Sequence, residues 1–124
     1  MSSLQKKRIL IVDDDLMLCK MLKENLYKQG FKTIETHDGK EALEFIHQNV
    51  VDLIILDLAM PVMGGFEFLR ILKKENKESK IPIIVLTIRN ENEIMEQSFN
   101  LEADFFLPKP FKFENLMNYI HLIF

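Results

Sequence analysis

Cysteine is almost missing from this chain: Cys19 is its one thiol, which excludes an internal disulfide and a metal cluster built on cysteines and suits a reducing compartment. Long apolar runs are missing too. The basic stretch Lys6-Lys7-Arg8 leads into Ile9-Leu10-Ile11-Val12, but that run stops at three aspartates, too short for a signal-peptide core or a membrane span. Neither sign of charge prevails, since 16 basic and 19 acidic residues are spread along the chain to a net charge of -3. No overall field therefore draws the chain to nucleic acid or to an anionic membrane, and protein or small-ion partners are expected instead. With four glycines and no glycine-rich phosphate loop, a nucleotide hydrolase is remote. Internal repeats, low-complexity tracts and linkers are absent. These absences predict a cytoplasmic chain that neither enters a membrane nor binds nucleic acid directly.

What is present is 124 residues, 48% of them hydrophobic, enough for one domain with a core and too few for two. Residues 1–124 are expected to form that domain. Short unbroken apolar runs alternate with longer helical patterns, which predicts a parallel sheet. The runs are Ile9-Leu10-Ile11-Val12, Leu53-Ile54-Ile55-Leu56 and Ile81-Pro82-Ile83-Ile84-Val85-Leu86, with weaker candidates at Phe31-Lys32-Thr33-Ile34 and Ala103-Asp104-Phe105-Phe106-Leu107. Strands apolar on both faces need helices on both sides, and Pro82 belongs at the start of its strand. Helical spacing recurs at Leu18, Leu22 and Leu26; at Ala42, Leu43, Ile46 and Val50; and at Phe68, Leu69 and Leu72. The first of these helices should end at Gly30, where positive φ is wanted, and the second should open at Asp38, a good N-cap. A polar helix with Ile94, Ser98 and Leu101 on one face is expected after Asn90, and Phe113, Leu116, Met117 and Ile120 mark the last helix. Roughly five βα units follow, wound by right-handed crossovers into an open, doubly wound α/β sheet with its ligand site at the carboxyl ends of the strands.

At that end the first strand finishes in Asp13-Asp14-Asp15, the third in Asp57 and the fourth in Thr87, while Lys109 follows the fifth. Each residue has an ordinary role if taken alone: a solvated turn, an N-cap, a turn hydroxyl, a surface lysine. Four accidents on one rim make the less economical account. Carboxylates packed closely repel one another unless a cation sits among them, and a hard oxygen-seeking ion such as Mg²⁺ suits the set.

In this order and spacing, Ile9-Leu10-Ile11-Val12-Asp13-Asp14-Asp15, Leu56-Asp57-Leu58-Ala59-Met60-Pro61, Leu86-Thr87 and Leu107-Pro108-Lys109-Pro110-Phe111 resemble the receiver domain of bacterial two-component response regulators. Asp38-Gly39-Lys40-Glu41-Ala42-Leu43 and Gly65 fit the family's second and third helix starts. The resemblance implies a five-stranded, flavodoxin-like sheet of order 2-1-3-4-5 and a phosphorylation-dependent switch. By it, Asp57 would accept the phosphoryl group from a sensor histidine kinase or phosphotransfer protein. Asp14, Asp57 and the carbonyl of Ala59 would bind Mg²⁺, with Asp13 acting through water. Lys109 would hold one phosphoryl oxygen, Thr87 another, and Phe106 would stand at the family's switch aromatic. Such a domain catalyses only its own phosphorylation and dephosphorylation. It passes the signal to an effector protein or an attached output domain, and a homodimer through its last two helices is compatible with the pattern.

Several residues depart from that pattern. Ile88 stands where a small residue usually leaves room for the phosphoryl group, Phe106 replaces the commoner tyrosine, and Gly64 and Glu102 stand where Asp and Gly are usual. Ile88 keeps open an alternative, an interaction module of the same fold that signals without phosphate. A metal-dependent phosphatase of similar topology is disfavoured because Asp57-Leu58-Ala59 lacks a second acid two residues after the nucleophile. His37, His47 and His121 lack metal-ligand spacing and read as ordinary surface residues, Cys19 as a small core residue, and Met95 with Phe99 as either core or partner surface.

Overall fold

Runs that are apolar at every position become strands only where both faces are covered, and that is how this chain folds. The computed structural model describes residues 6–58, 63–75, 81–87 and 103–124. In chain order these contain β1 (Arg8–Val12), α1 (Leu16–Lys28), β2 (Lys32–Thr36), α2 (Gly39–Gln48), β3 (Leu53–Asp57), α3 (Gly65–Glu75), β4 (Ile83–Thr87), β5 (Phe105–Pro108) and α4 (Phe113–Ile123). The strands form one sheet, all parallel, in the order β2-β1-β3-β4-β5. No helix among the described residues is long and apolar enough to cross a membrane. The helix expected after Asn90, together with Ile88, Met95, Phe99 and Glu102, lies outside the described residues, as does Ala59.

Alternation along each strand divides the interior into two cores. Ile9, Ile11, Leu53, Ile55, Ile84, Leu86 and Leu107 pack under α1 and α4 through Cys19, Leu22, Leu26, Leu116, Met117 and Ile120. Leu10, Val12, Ile54, Leu56, Ile83 and Val85 pack on the opposite face under α2 and α3 through Ala42, Leu43, Phe68, Leu69 and Leu72. Each fully buried aliphatic side chain of this kind contributes about 1.5–3 kcal/mol of transfer free energy.

Local signals place the helix ends. Asp15 caps α1, its side chain accepting from the amides of Met17 and Leu18 at 3.1 Å, and Asp38 caps α2 by accepting from Glu41 N–H at 2.8 Å. Past the C-terminus of α1, Gly30 takes φ +93°, and Phe31 N–H closes back on the Leu26 carbonyl at 3.0 Å, an ending that favours glycine. Several boundaries differ from expectation: β4 opens at Ile83, just after Pro82, and β5 at Phe105, each two residues inside its apolar run. β2 runs on to Thr36 because its amides and carbonyls follow β1 in register as far as Val12, and the Thr36 hydroxyl donates to the Ile11 carbonyl at 2.9 Å. Val50, read as part of the second helix face, lies beyond the end of α2 and is exposed, while Val51 takes the buried place next to it.

Candidate functional site

The two-residue period that separates the cores also sorts the rim. In β1 the α1-facing positions are Ile9 and Ile11, and the next is Asp13; in β3 they are Leu53 and Ile55, followed by Asp57; after Leu107 in β5 comes Lys109. The pleat continues past the strand ends, since Asp13 N–H donates to the Thr36 carbonyl at 3.0 Å and Lys109 N–H to the Thr87 carbonyl at 2.7 Å. Thr87 and Phe106 continue the other parity, and Phe106 packs on the α2 and α3 core beside its register partner Val85. Sheet geometry alone therefore puts two acids and an ammonium on one side of the rim, and a hydroxyl and an aromatic ring on the other.

Asp13, Asp14 and Asp57 come together with carboxylate oxygens within 4.8 Å of one another. Asp13 is 1% exposed, Asp57 5% and Thr87 2%, whereas Asp14 faces solvent. Lys109 reaches in, its Nζ 2.9 Å from Asp13 Oδ2 and 3.8 Å from Asp57 Oδ1. The other Asp13 oxygen, Oδ1, accepts from Asp15 N–H at 2.9 Å, so both oxygens of Asp13 are held by protein donors. Burial alone would lower the Lys109 pKa, but the hydrogen bond to Asp13 and the charges of Asp13, Asp57 and Asp15 outweigh it and hold the ammonium above the usual lysine value. These four groups still carry two more negative charges than positive. An all-oxygen, doubly acidic site with one solvent-facing side matches what a hard divalent cation such as Mg²⁺ takes.

Of the residues expected at this rim, Asp13, Asp14, Asp57 and Lys109 meet, and Thr87 ends the neighbouring strand. Two features were not read from the sequence. Gly65 opens α3 so close to β3 that a Cβ there would stand 2.6 Å from the Asp57 carbonyl oxygen and 2.6 Å from Leu58 Cα; Gly65 N–H donates to the Leu58 carbonyl at 3.0 Å. A glycine just past a strand that ends in the key acid is the signal that could have found it. The second is Cys19, whose Sγ donates to the Asp13 carbonyl at 3.3 Å.

Comparison with known proteins gives this arrangement a family. The response regulator receiver domain model matches residues 9–121. The response regulator GtcR of Aneurinibacillus migulanus is 37% identical over 105 residues, covering 85% of this chain and 42% of that protein. The transcriptional regulatory protein CpxR of Escherichia coli K12 is 38% identical over 116 residues, covering 94% and 48%. The chain thus spans about half the length of the curated relatives it matches. Among solved structures, the chemotaxis response regulator CheY4 of Vibrio cholerae superposes with a TM-score of 0.88 at 30% identity, covering 97% of this chain and all of that one. The response regulator TrrA of Thermotoga maritima, solved in complex with Mg²⁺-BeF, does so at 0.82 and 32% identity, covering 95% and 99%. A parallel sheet in this order, with these acids at its carboxyl rim and these relatives, makes the chain a member of the response regulator receiver domain family.

Proposed function

We propose that Asp57 is the phosphoryl acceptor of this receiver domain, that Asp14 and Asp57 with the carbonyl of Ala59 hold Mg²⁺, and that Asp13 touches the ion through water. The observation that carries this reading is the convergence of the Asp13, Asp14 and Asp57 oxygens within 4.8 Å with Lys109 at their edge. Asp13 suits an indirect role because each of its oxygens already accepts from a protein donor. A bound Mg²⁺ would supply charge neutralisation for the equatorial phosphoryl oxygens, the main service a protein can offer a loose phosphoryl-transfer transition state. The remaining work falls to the chain's own groups. The Asp57 carboxylate is the nucleophile: one of its oxygens forms the new O–P bond while the donor keeps the electrons of the bond that breaks. Lys109 turns from its acids toward a phosphoryl oxygen, and the Thr87 hydroxyl donates to another.

The resulting acyl phosphate adds a dianion where Thr87 and Lys109 can be drawn to it. Thr87 ends β4 and Lys109 follows β5, so a small shift of either alters the face offered to a partner. Phe106 shares the parity of Thr87 and packs by its ring alone. Supporting the reading, TrrA was captured with Mg²⁺-BeF, a group shaped like a phosphoryl. The phosphoryl source is a histidine kinase or phosphotransfer protein, and the output is an effector protein or an attached domain. The phosphate-independent alternative rests on Ile88, outside the described residues.

Incubation with a small phosphodonor and Mg²⁺ followed by intact-mass measurement tests this. One phosphoryl adduct is expected, lost in Asp57→Asn and when the metal is chelated; an undiminished adduct in Asp57→Asn would remove Asp57 from the role.

A further inference from the structure

A second group of metal-ligating atoms converges beside the acidic pocket. Cys19 Sγ, a Glu35 carboxylate oxygen and a His37 ring nitrogen lie within 4.8 Å of one another. Three elements bring them there. Cys19 is fully buried in the α1 core; Glu35 takes the β2 parity opposite to Ile34, which packs on the α2 and α3 core; and His37 follows the end of β2. An ordinary explanation covers part of this: His37 Nε2 and Glu35 Oε2 form a hydrogen bond of 2.6 Å. It does not account for a buried thiol at the same point, nor for the balance of charge around it. Glu41 Oε1 lies 3.6 Å from His37 Nδ1 and the thiol meets the Asp13 carbonyl at 3.3 Å, against Lys23 Nζ at 3.9 Å from Glu35.

We propose that Cys19, Glu35 and His37 form a second metal site, which takes a borderline-soft divalent ion of the Zn²⁺ kind. One sulfur, one nitrogen and one oxygen suit Zn²⁺ and suit Mg²⁺ poorly. At ordinary Zn²⁺ bond lengths the ligand atoms of a tetrahedron stand roughly 3.3–3.7 Å apart. The atoms therefore close by at most about an ångström while the His37–Glu35 hydrogen bond opens. Glu35 and His37 are 22% and 40% exposed, and it is these side chains that adjust while Cys19 stays fixed in its helix. Water or Glu41 takes the fourth position. As the metal–sulfur bond forms, the thiol gives its proton to solvent. Burial, then Glu35, Asp13 and Asp15, push the Cys19 thiol up to about 12. Deprotonation also ends the thiol's hydrogen bond to the Asp13 carbonyl, so occupancy is felt at the backbone of an acid of the pocket itself. The site does not depend on phosphorylation at Asp57.

Cobalt(II) is the probe, since a thiolate bound to it in a near-tetrahedral site gives a charge-transfer band in the near ultraviolet. One equivalent of Co²⁺ is expected to produce that band in the intact protein, to lose it to Zn²⁺ and to keep it in excess Mg²⁺ and in Asp57→Asn. Cys19→Ala abolishes the band, with folding checked by circular dichroism, and the more exposed His37→Gln weakens Co²⁺ binding about tenfold or more. Absence of a thiolate band, its removal by Mg²⁺, or unchanged affinity in His37→Gln overturns the proposal. Asp57 labelling on the same preparation is scored separately, so either reading can fail alone.

Discussion

Gly65 shows what a single missing side chain does here. Its backbone lies against the carbonyl of Asp57 and the Cα of Leu58, neither of which is the yielding tip of a flexible side chain, so an added methyl group must push α3 away or displace the end of β3. Gly65→Ala is predicted to lower stability by about 1–3 kcal/mol, measured by urea unfolding, and to slow Asp57 labelling in the fraction that remains folded. Wild-type stability together with wild-type labelling would show that the approach relaxes without consequence. Asp57 and Lys109 were legible as site residues because the sequence itself places them at strand ends. Gly65 was read only as a helix start, because backbone proximity between two elements leaves no periodicity behind. The Cys19, Glu35 and His37 group escaped for a related reason: its members sit in a helix, a strand and a turn, and no spacing rule joins them.

At the scale of elements, helix caps and the edge strand carry separable contributions. Asp15 receives two amides of α1 one residue after the acidic rim, so Asp15→Ala should cost about 1 kcal/mol of stability while leaving Asp13, Asp14 and Asp57 in place; retained Mg²⁺ affinity in the variant checks the separation. β2 has a pH-dependent tie. The hydrogen bond to Glu35 raises the His37 pKa, with the charges of Glu35, Glu41 and Asp38 adding to it and burial opposing. A folded value above the unfolded one means that this stability is fully present below the unfolded histidine value of about 6.5 and fades as pH rises through the folded value. His37→Gln is accordingly predicted to be destabilising at a pH of about 5.5 and nearly neutral at about 8.5, with equal effects at both pH values contradicting the assignment. Element order and type followed from apolar runs and helical spacing, which is why β1, β3, α1, α3 and α4 match expectation closely. β2 is longer than its apolar residues suggest because the ladder to β1 and the Thr36 hydroxyl hold polar positions that hydrophobicity does not mark.

For the whole molecule, the acidic pocket sets function against stability. Among the described residues Lys109 pairs with Asp13 and Asp57 while Asp14 stands beside them, so without a cation the folded state carries like-charge repulsion that neutralising one acid should relieve. Asp57→Asn is predicted to unfold at a higher temperature than the wild type in chelator. Mg²⁺ should reverse the order, stabilising the wild type by about 2.7 kcal/mol at a hundredfold excess over its dissociation constant and the variant hardly at all. A destabilised Asp57→Asn in chelator would mean that Lys109 and its neighbours already neutralise the pocket. The same alternation that built the two cores also decides how this domain tolerates change. Apolar residues within β3 can be exchanged for one another at modest cost. Removing or inserting a single residue there would carry the acid across the pleat to the threonine side, with composition almost untouched. Strand length, more than strand content, is what the chemistry of this chain must conserve.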